Sequence, residues 1–310
     1  MNRSNALTAS ALSTATSLRP PKQPSHKDLD YPPAALEFGK IRELLQSFAD
    51  DADFSMNLAR GISILRVFTI ADRALGNKEI CERTGLPKAT VSRLCYTLTQ
   101  LGCLTRDPIS QKFVLGWGVL AMCHPLLGKI QIRQAARPLM EELATTTGCT
   151  VNLGIRDRND VVYIESVRGD KGNRFTPDIG MHVPWIAAAI GRALILGYSR
   201  GSRESLVNQS KVQEPKLFEI YSSIWEADIR RHGRFGYCES EGDWLKGDYA
   251  IAMPVRCPAS ETPIAMSCTL FGGKEAGIRL RNKVLPHLRE KVNALEEKML
   301  LTEARRERRI

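Results

Sequence analysis

With 310 residues, 43% of them hydrophobic, the chain can bury two ordinary domain cores. Its 44 Lys and Arg exceed its 34 Asp and Glu, and the net charge of +10 favours a polyanionic partner. No apolar run approaches the roughly 20 residues needed to cross a bilayer and no signal-peptide core occurs, so a soluble, cytoplasmic protein with no membrane partner is expected. The eight cysteines (81, 95, 103, 123, 149, 238, 257 and 268) form no C-x-x-C pair and have no His at ligand spacing. They read as buried thiols in a reducing compartment, so neither a metal nor a cofactor is expected.

Residues 1–34 are rich in Ser, Ala, Thr and Pro and carry no acid before Asp28. This composition predicts a disordered tail, with a transit peptide as the alternative. Within the extension of residues 1–55, Ala35 to Phe48 places Ile41, Leu44, Leu45 and Phe48 on one helical face. That short helix is either a packing arm or the product of an early start codon, since Met56 stands directly before the next periodic segment.

Residues 56–116 read as a winged helix-turn-helix. Asn57 to Ala74 forms a first helix with a stripe of Leu58, Ile62, Leu65 and Phe68. A short helix follows over Asn77 to Thr84, capped by Asn77 and stopped at Gly85. Leu86-Pro87 then opens a helix whose positions Val91, Leu94, Cys95, Leu98 and Leu101 mark a buried face. The opposite face carries Lys88, Thr90, Ser92, Arg93, Tyr96 and Thr97, side chains able to hydrogen-bond phosphates and base edges. Cys103 to Thr105 and Lys112 to Leu115 read as two short strands around the tip Asp107-Pro108-Ile109-Ser110, with Arg106 and Lys112 placed to touch phosphates. From Met56 to Pro125 nine Lys and Arg stand against four acids, nine minus four giving +5. The competing reading is a three-helix bundle with a solvated charged face.

Residues 117–148 are a helical bridge, Gly116 to Gly128 and then Ile130 to Thr147, whose Trp117, Leu120, Met122 and Leu126 also suit a dimer seam. From Cys149 the pattern becomes mixed α/β, with a hairpin over Val151 to Val167. A helix from Pro184-Trp185 to Tyr198 carries many small residues, another helix covers Glu219 to His232, and strands cover Ala250 to Val255 and Ile264 to Phe271. Each of these two strands has one bulky face and one face of small or hydroxyl side chains. Such faces suit either a concave small-molecule pocket or close helix–sheet packing. A last helix, Lys274 to Thr302, packs on the sheet, and residues 304–310 form a basic tail, either a solvated end or a second DNA contact.

Several stretches together resemble the isocitrate lyase regulator (IclR) family of bacterial transcription factors. They are GISILRVF, EICERTGLPKATVSRLCYTLTQLGCLTRD, FVLGWGVL, ARPLMEELATTTGCTVNL, VVYIESV, VPWIAAAIGRALIL, HGRFGYCESEG and AIAMPV. The resemblance covers about residues 56 to 300. It implies an α+β protein with an N-terminal winged helix-turn-helix, a linker helix and a C-terminal GAF-like α/β effector-binding domain over residues 149–303. It further implies a homodimer or dimer of dimers on double-stranded DNA, at a pseudo-palindromic operator. Carried over by position, DNA contacts fall on Lys88, Thr90 and Arg93, and the effector pocket on Ser240, Ala250, Ser267 and Thr269, beside Ala188 and Gly191. Relatives that bind small oxo-acids carry an acid and a Cys where this chain has Ser240 and Ala250. With Trp185 and Trp244 bordering the pocket, an aromatic or bulky apolar acid from a catabolic pathway is the expected effector.

No catalytic constellation is legible. The five histidines lie apart from any nucleophile motif, and no Gly-rich phosphate loop occurs, so an enzyme is not expected. The alternative to a ligand-controlled regulator is a DNA-binding protein whose second domain serves assembly or redox sensing through Cys238, Cys257 or Cys268.

Overall fold

The computed structural model describes residues 34–169, 177–256 and 263–307. The tail over residues 1–33 and Cys257 lie outside them. The N-terminal part is helical, with α1 (Ala34–Ser47), α2 (Met56–Arg66), α3 (Asn77–Thr84) and α4 (Lys88–Gln100), followed by a hairpin of β1 (Leu104–Arg106) and β2 (Phe113–Leu115). Its core joins Ile41, Ile64, Val67, Ile80, Val91, Cys95, Leu104 and Phe113. Gly85 ends α3 in the left-handed conformation (φ 73°), where its N–H caps the Cys81 carbonyl and turns the chain into α4.

Several local expectations differ from the fold. The first helix ends at Arg66, and Leu58 and Ile62 are exposed, because Gly61, Ser63 and Ile64 supply its inward face. Gly76, not Asn77, is the N-cap of α3, and Glu79 Oε2 accepts the Gly76 N–H at 2.9 Å. Leu101 is 67% exposed because it lies at the C-cap of α4, past the last turn that faces the core.

Two helices, α5 (Trp117–Lys129) and α6 (Gln131–Thr147), lead into a six-stranded antiparallel sheet of β3 (Thr150–Asp157), β4 (Asp160–Val167), β5 (His182–Pro184), β6 (Cys238–Glu241), β7 (Asp248–Val255) and β8 (Ile264–Phe271). The strand order is β5-β4-β3-β8-β7-β6. The remaining helices are α7 (Ala189–Leu196), α8 (Arg200–Gln213), α9 (Pro215–Phe235), α10 (Lys274–Arg279) and, after a π-helical turn over Leu280–Val284, α11 (Leu285–Glu307). Helix α8 was missed in the sequence because it buries only Val207 and Ser210, leaving little apolar periodicity.

Both faces of the sheet are covered. Ile251, Met253, Val255, Ile264, Met266 and Cys268 pack with Met140 and Leu143 of α6 and Leu288, Val292 and Leu295 of α11. On the other face Ala250, Ala252 and Ala265 lie under α7, every residue of which is buried. The small side chains let α7 sit close to the strands.

Helix α1 joins the two halves of the molecule. Its Ile41 lies in the N-terminal core, and Arg42 donates to the carbonyls of Arg83 (3.2 Å) and Glu82 at the end of α3. From the same turn, Lys40 Nζ meets Glu214 at 2.7 Å and Asp160 at 3.4 Å in the C-terminal part. Burial would raise the Asp160 carboxyl, but His182 and Lys40 outweigh it and hold it below its ordinary value.

Candidate nucleic-acid interface and effector cleft

Helix α4 presents Lys88, Ser92, Arg93, Tyr96 and Thr97 to solvent, with Thr90 half-buried beside them, while Val91, Cys95 and Leu98 face the core. The rigid underside therefore fixes the direction of the polar face. Ser92 Oγ accepts from Asn77 Nδ2 at 3.3 Å, which ties the start of α4 to α3.

The two wing cations are held locally. The Arg106 guanidinium lies 4.5 Å over the Phe113 ring and donates to the Gln111 carbonyl at 2.7 Å. Lys112 Nζ pairs with Glu79 Oε1 at 2.6 Å, and this contact holds the Glu79 carboxyl below its ordinary value. Both residues stiffen the hairpin, so a phosphate would have to compete with or share these partners. At the tip, Asp107 Oδ1 accepts from the N–H groups of Ile109 and Ser110 and sets the turn.

In the C-terminal part, strand register assembles a polar floor. Ser240, Ala250 and Thr269 stand opposite one another across β6, β7 and β8, as do Cys238, Ala252, Ser267 and Asn152 one step along. Over this floor lies a narrow cleft lined by Tyr163, Pro177, Val183, Ala188, Ala189, Ile190, Ser240, Trp244, Asp248, Ala250, Ser267 and Thr269. Its accessible volume is only about 20 Å³, room for about one or two waters. Admitting a ring-sized molecule requires part of the wall to move.

One wall, carrying Trp244, is the loop over residues 242–247, bounded by Gly242 (φ 84°) and Gly247 (φ 87°). A side chain at Gly247 would also strike the Phe271 ring at 2.9 Å. The loop is fastened by Asp243, whose Oδ2 accepts from Ser240 Oγ at 3.0 Å and lies 3.7 Å from Arg192, and whose carbonyl accepts from Tyr221 at 3.2 Å. Arg192 is itself fully buried and bonded to Asp228 at 2.6 Å and to the carbonyls of Ile186 and Glu239. Loop, strand β6 and helices α7 and α9 thus share one charge network.

Six of the eight expected effector residues line this cleft: Ala188, Ser240, Trp244, Ala250, Ser267 and Thr269. Trp185 and Gly191 do not. Trp185 is 1% exposed, donates Nε1 to Ser210 Oγ at 2.7 Å and meets the Trp225 ring edge-on at 5.1 Å. A Cβ on Gly191 would fall 2.2 Å from the Trp185 carbonyl, so this glycine is needed for close approach to the chain before the helix. The helix starts at Ala189 and not at Pro184, because Pro184 still pairs with Asp160 in the sheet. Its first turn, Ala189 and Ile190, consequently forms part of the cleft wall.

Sequence reasoning overlooked Tyr163, Pro177, Val183, Ala189, Ile190 and Asp248. For Asp248 a signal existed, since the small face of β7 extends back to it from Ala250 and Ala252. A wider groove of about 490 Å³ lies on α8 and α9, lined by residues including Arg200, Arg203, Lys211 and Trp225, but it opens to solvent along the surface. Among the described residues no cluster of three or more His, Cys, Asp or Glu could hold a metal ion, and no helix is long and apolar enough to cross a membrane.

A DNA-reading helix and wing joined through helices to a sheet domain with an internal cleft define a two-domain α+β transcriptional regulator. The IclR helix-turn-helix domain matches residues 57–108, and the bacterial transcriptional regulator IclR C-terminal domain matches residues 124–297. The chain belongs to the IclR family of DNA-binding transcriptional regulators, a family of regulators and not of enzymes. It is 31% identical to the HTH-type transcriptional regulator TsaQ1/TsaQ2 of Comamonas testosteroni, over 78% of this chain and 88% of that protein. Among solved structures, an IclR family regulator from Brucella abortus superposes with a TM-score of 0.66 at 30% identity, covering 81% of this chain and 95% of the other. An IclR homolog from Microbacterium hydrocarbonoxydans, complexed with 4-hydroxybenzoate, shares the fold at 22% identity and a TM-score of 0.60, covering 79% and 99%.

Proposed function

We propose that this regulator binds a pseudo-palindromic operator as a homodimer or dimer of dimers, and that an aromatic or bulky apolar acid in the cleft controls that binding. The observation that carries the reading is the cleft itself. Trp244 Nε1 is buried without a hydrogen-bond partner, and the cleft that Trp244 lines is also lined by the hydroxyl residues Ser267 and Thr269 and by the first turn of α7. A buried donor left unpaired costs about 1–3 kcal/mol, so an acceptor brought by a ligand recovers that loss. The indole and the alkyl walls of Val183, Ala188 and Ile190 suit an apolar ring, and the N–H groups opening α7 suit its carboxylate.

Residues Lys88, Thr90, Ser92, Arg93, Tyr96, Arg106 and Lys112 form the proposed DNA-facing surface. An effector that prefers one arrangement of the loop over residues 242–247 shifts the balance between dimer geometries by its difference in affinity for them. Redox sensing is the weaker reading. Cys238 and Cys268 are fully buried, and burial pushes both thiols up, which keeps them protonated and poorly reactive.

The test is thermal unfolding of the full chain against benzoate, 4-hydroxybenzoate, alicyclic acids and short oxo-acids. A ligand at about 100 times its Kd stabilises by roughly 2.7 kcal/mol, which moves the transition by several degrees. Trp244→Ala is expected to abolish the shift and retain operator binding. A response confined to oxo-acids would overturn the ligand class, and no response to any acid would overturn control through the cleft.

A further inference from the structure

Resting on the effector-cleft reading above, we propose that Asp248 is a ligand-binding residue that, in its neutral carboxylic-acid form, holds the effector's carboxylate through a shared proton. The starting point is a mismatch between the side chains of the cleft and an anionic occupant. None of its lining side chains is cationic, and one is an acid. Asp248 Oδ1 is buried and has no hydrogen-bond partner, like the neighbouring Trp244 Nε1. An ionised, unpaired carboxylate would both repel an acid and lack any compensating charge.

Protonation removes the mismatch. A neutral Asp248 is a hydrogen-bond donor, and the polar side chains of the cleft then include the O–H groups of Asp248, Ser267 and Thr269 together with the N–H of Trp244. Such a donor set receives a carboxylate without an arginine or lysine. Burial pushes the Asp248 carboxyl up to about 7, so the neutral form is accessible near physiological pH. The electrostatic surroundings do not counter this. From β4 the cleft receives Tyr163, and β8 supplies no charged side chain. In the loop, Asp243 is engaged by Ser240 and Arg192 while Lys246 is exposed; on β6, Glu241 is paired with Arg281 at 2.6 Å. Arg192 of α7 is committed to Asp228 and backbone carbonyls.

Binding in this mode takes up one proton well above about pH 7, where free Asp248 is ionised, and none well below it, where the carboxyl already carries that proton. The bond that forms is O–H···O between the two carboxyl groups; no covalent bond other than O–H is made or broken. Because only the protonated protein binds, carboxylate affinity is constant well below about pH 7 and falls up to about tenfold per pH unit above it.

The experiment is a tryptophan-fluorescence titration of the full chain with benzoate and 4-hydroxybenzoate and with their neutral amides, between about pH 6 and pH 9. The carboxyl groups of both acids remain ionised throughout, and the slope is read from benzoate, because the phenol of 4-hydroxybenzoate begins to ionise toward the alkaline end. The expected result is that acid affinity falls as pH rises, whereas in Asp248→Asn, whose amide N–H donates permanently, acid affinity is independent of pH and exceeds wild type at the alkaline end. The wild-type slope alone tests the proposal if the variant does not fold. Acid affinity that is flat or rises with pH would overturn it, as would amides binding while the acids do not; both leave the cleft as an effector site. Failure of every probe to bind would overturn the cleft reading together with the proposal.

Discussion

Lys88 and Arg93 occupy one exposed helix face but invite different partners. Lys88 stands in the first turn of α4, where an ammonium acts as a point charge on a phosphate, while Arg93, a turn and a half along, can present two N–H groups to a guanine edge. Replacing Lys88 with Ala is therefore expected to weaken binding to all DNAs alike and to reduce the salt slope by about one, as read from titrations at several ionic strengths. Arg93→Ala is expected to relax operator preference by about 1–3 kcal/mol at one base position, as read by competition with base-substituted operators. An equal loss on operator and unrelated DNA in both variants would place both residues on phosphates.

At the scale of the element, α1 is informative because the family match begins only at residue 57. Its apolar face closes the N-terminal core through Ile41, and its Lys40 reaches across to Asp160 and Glu214. These two contacts differ in weight. Ile41 is 2% exposed, so Ile41→Ala is expected to cost about 2–4 kcal/mol in urea denaturation, through lost burial and the cavity left behind. The Lys40 ion pairs are partly solvated, and Lys40→Ala should change stability by no more than about 1 kcal/mol. Equal and negligible effects would show α1 to be an appendage. Amphipathic spacing made this helix legible as a packing arm or an accident of translation, but the spacing alone carries no record of which core it closes.

For the whole molecule, α5 presents a run of open apolar side chains: Trp117 is 85% exposed and Leu120, Met122 and Leu126 are also open, with Leu58 and Ile62 of α2 exposed as well. No residue of α5 is buried in the single chain. In the proposed dimer a second copy covers this helix, and pairing also supplies the two recognition helices that the proposed pseudo-palindrome requires. Leu120→Asp with Leu126→Asp is therefore expected to yield monomers in sedimentation and to lower operator affinity by orders of magnitude while each domain stays folded. Dimers that survive these changes would assign the seam elsewhere.

Much of this protein was determined by its sequence alone. The face of α4 that looks outward, the Gly85 turn, and the division of β7 and β8 into bulky and small faces all follow from local periodicity, because a side chain's direction repeats with its element. What only the tertiary structure decided is what stands opposite each residue. Trp185 and Trp244 were indistinguishable along the chain, yet one is consumed by Ser210 and Trp225 in the core and the other keeps an unpaired N–H at the cleft. Gly191 packs against the Trp185 backbone, and Asp248, an unremarked acid at a strand end, is half-buried with its Oδ1 enclosed and unpaired only in the assembled cleft. Burial, pairing and a shifted titration arise between elements distant in sequence, and local pattern cannot encode them.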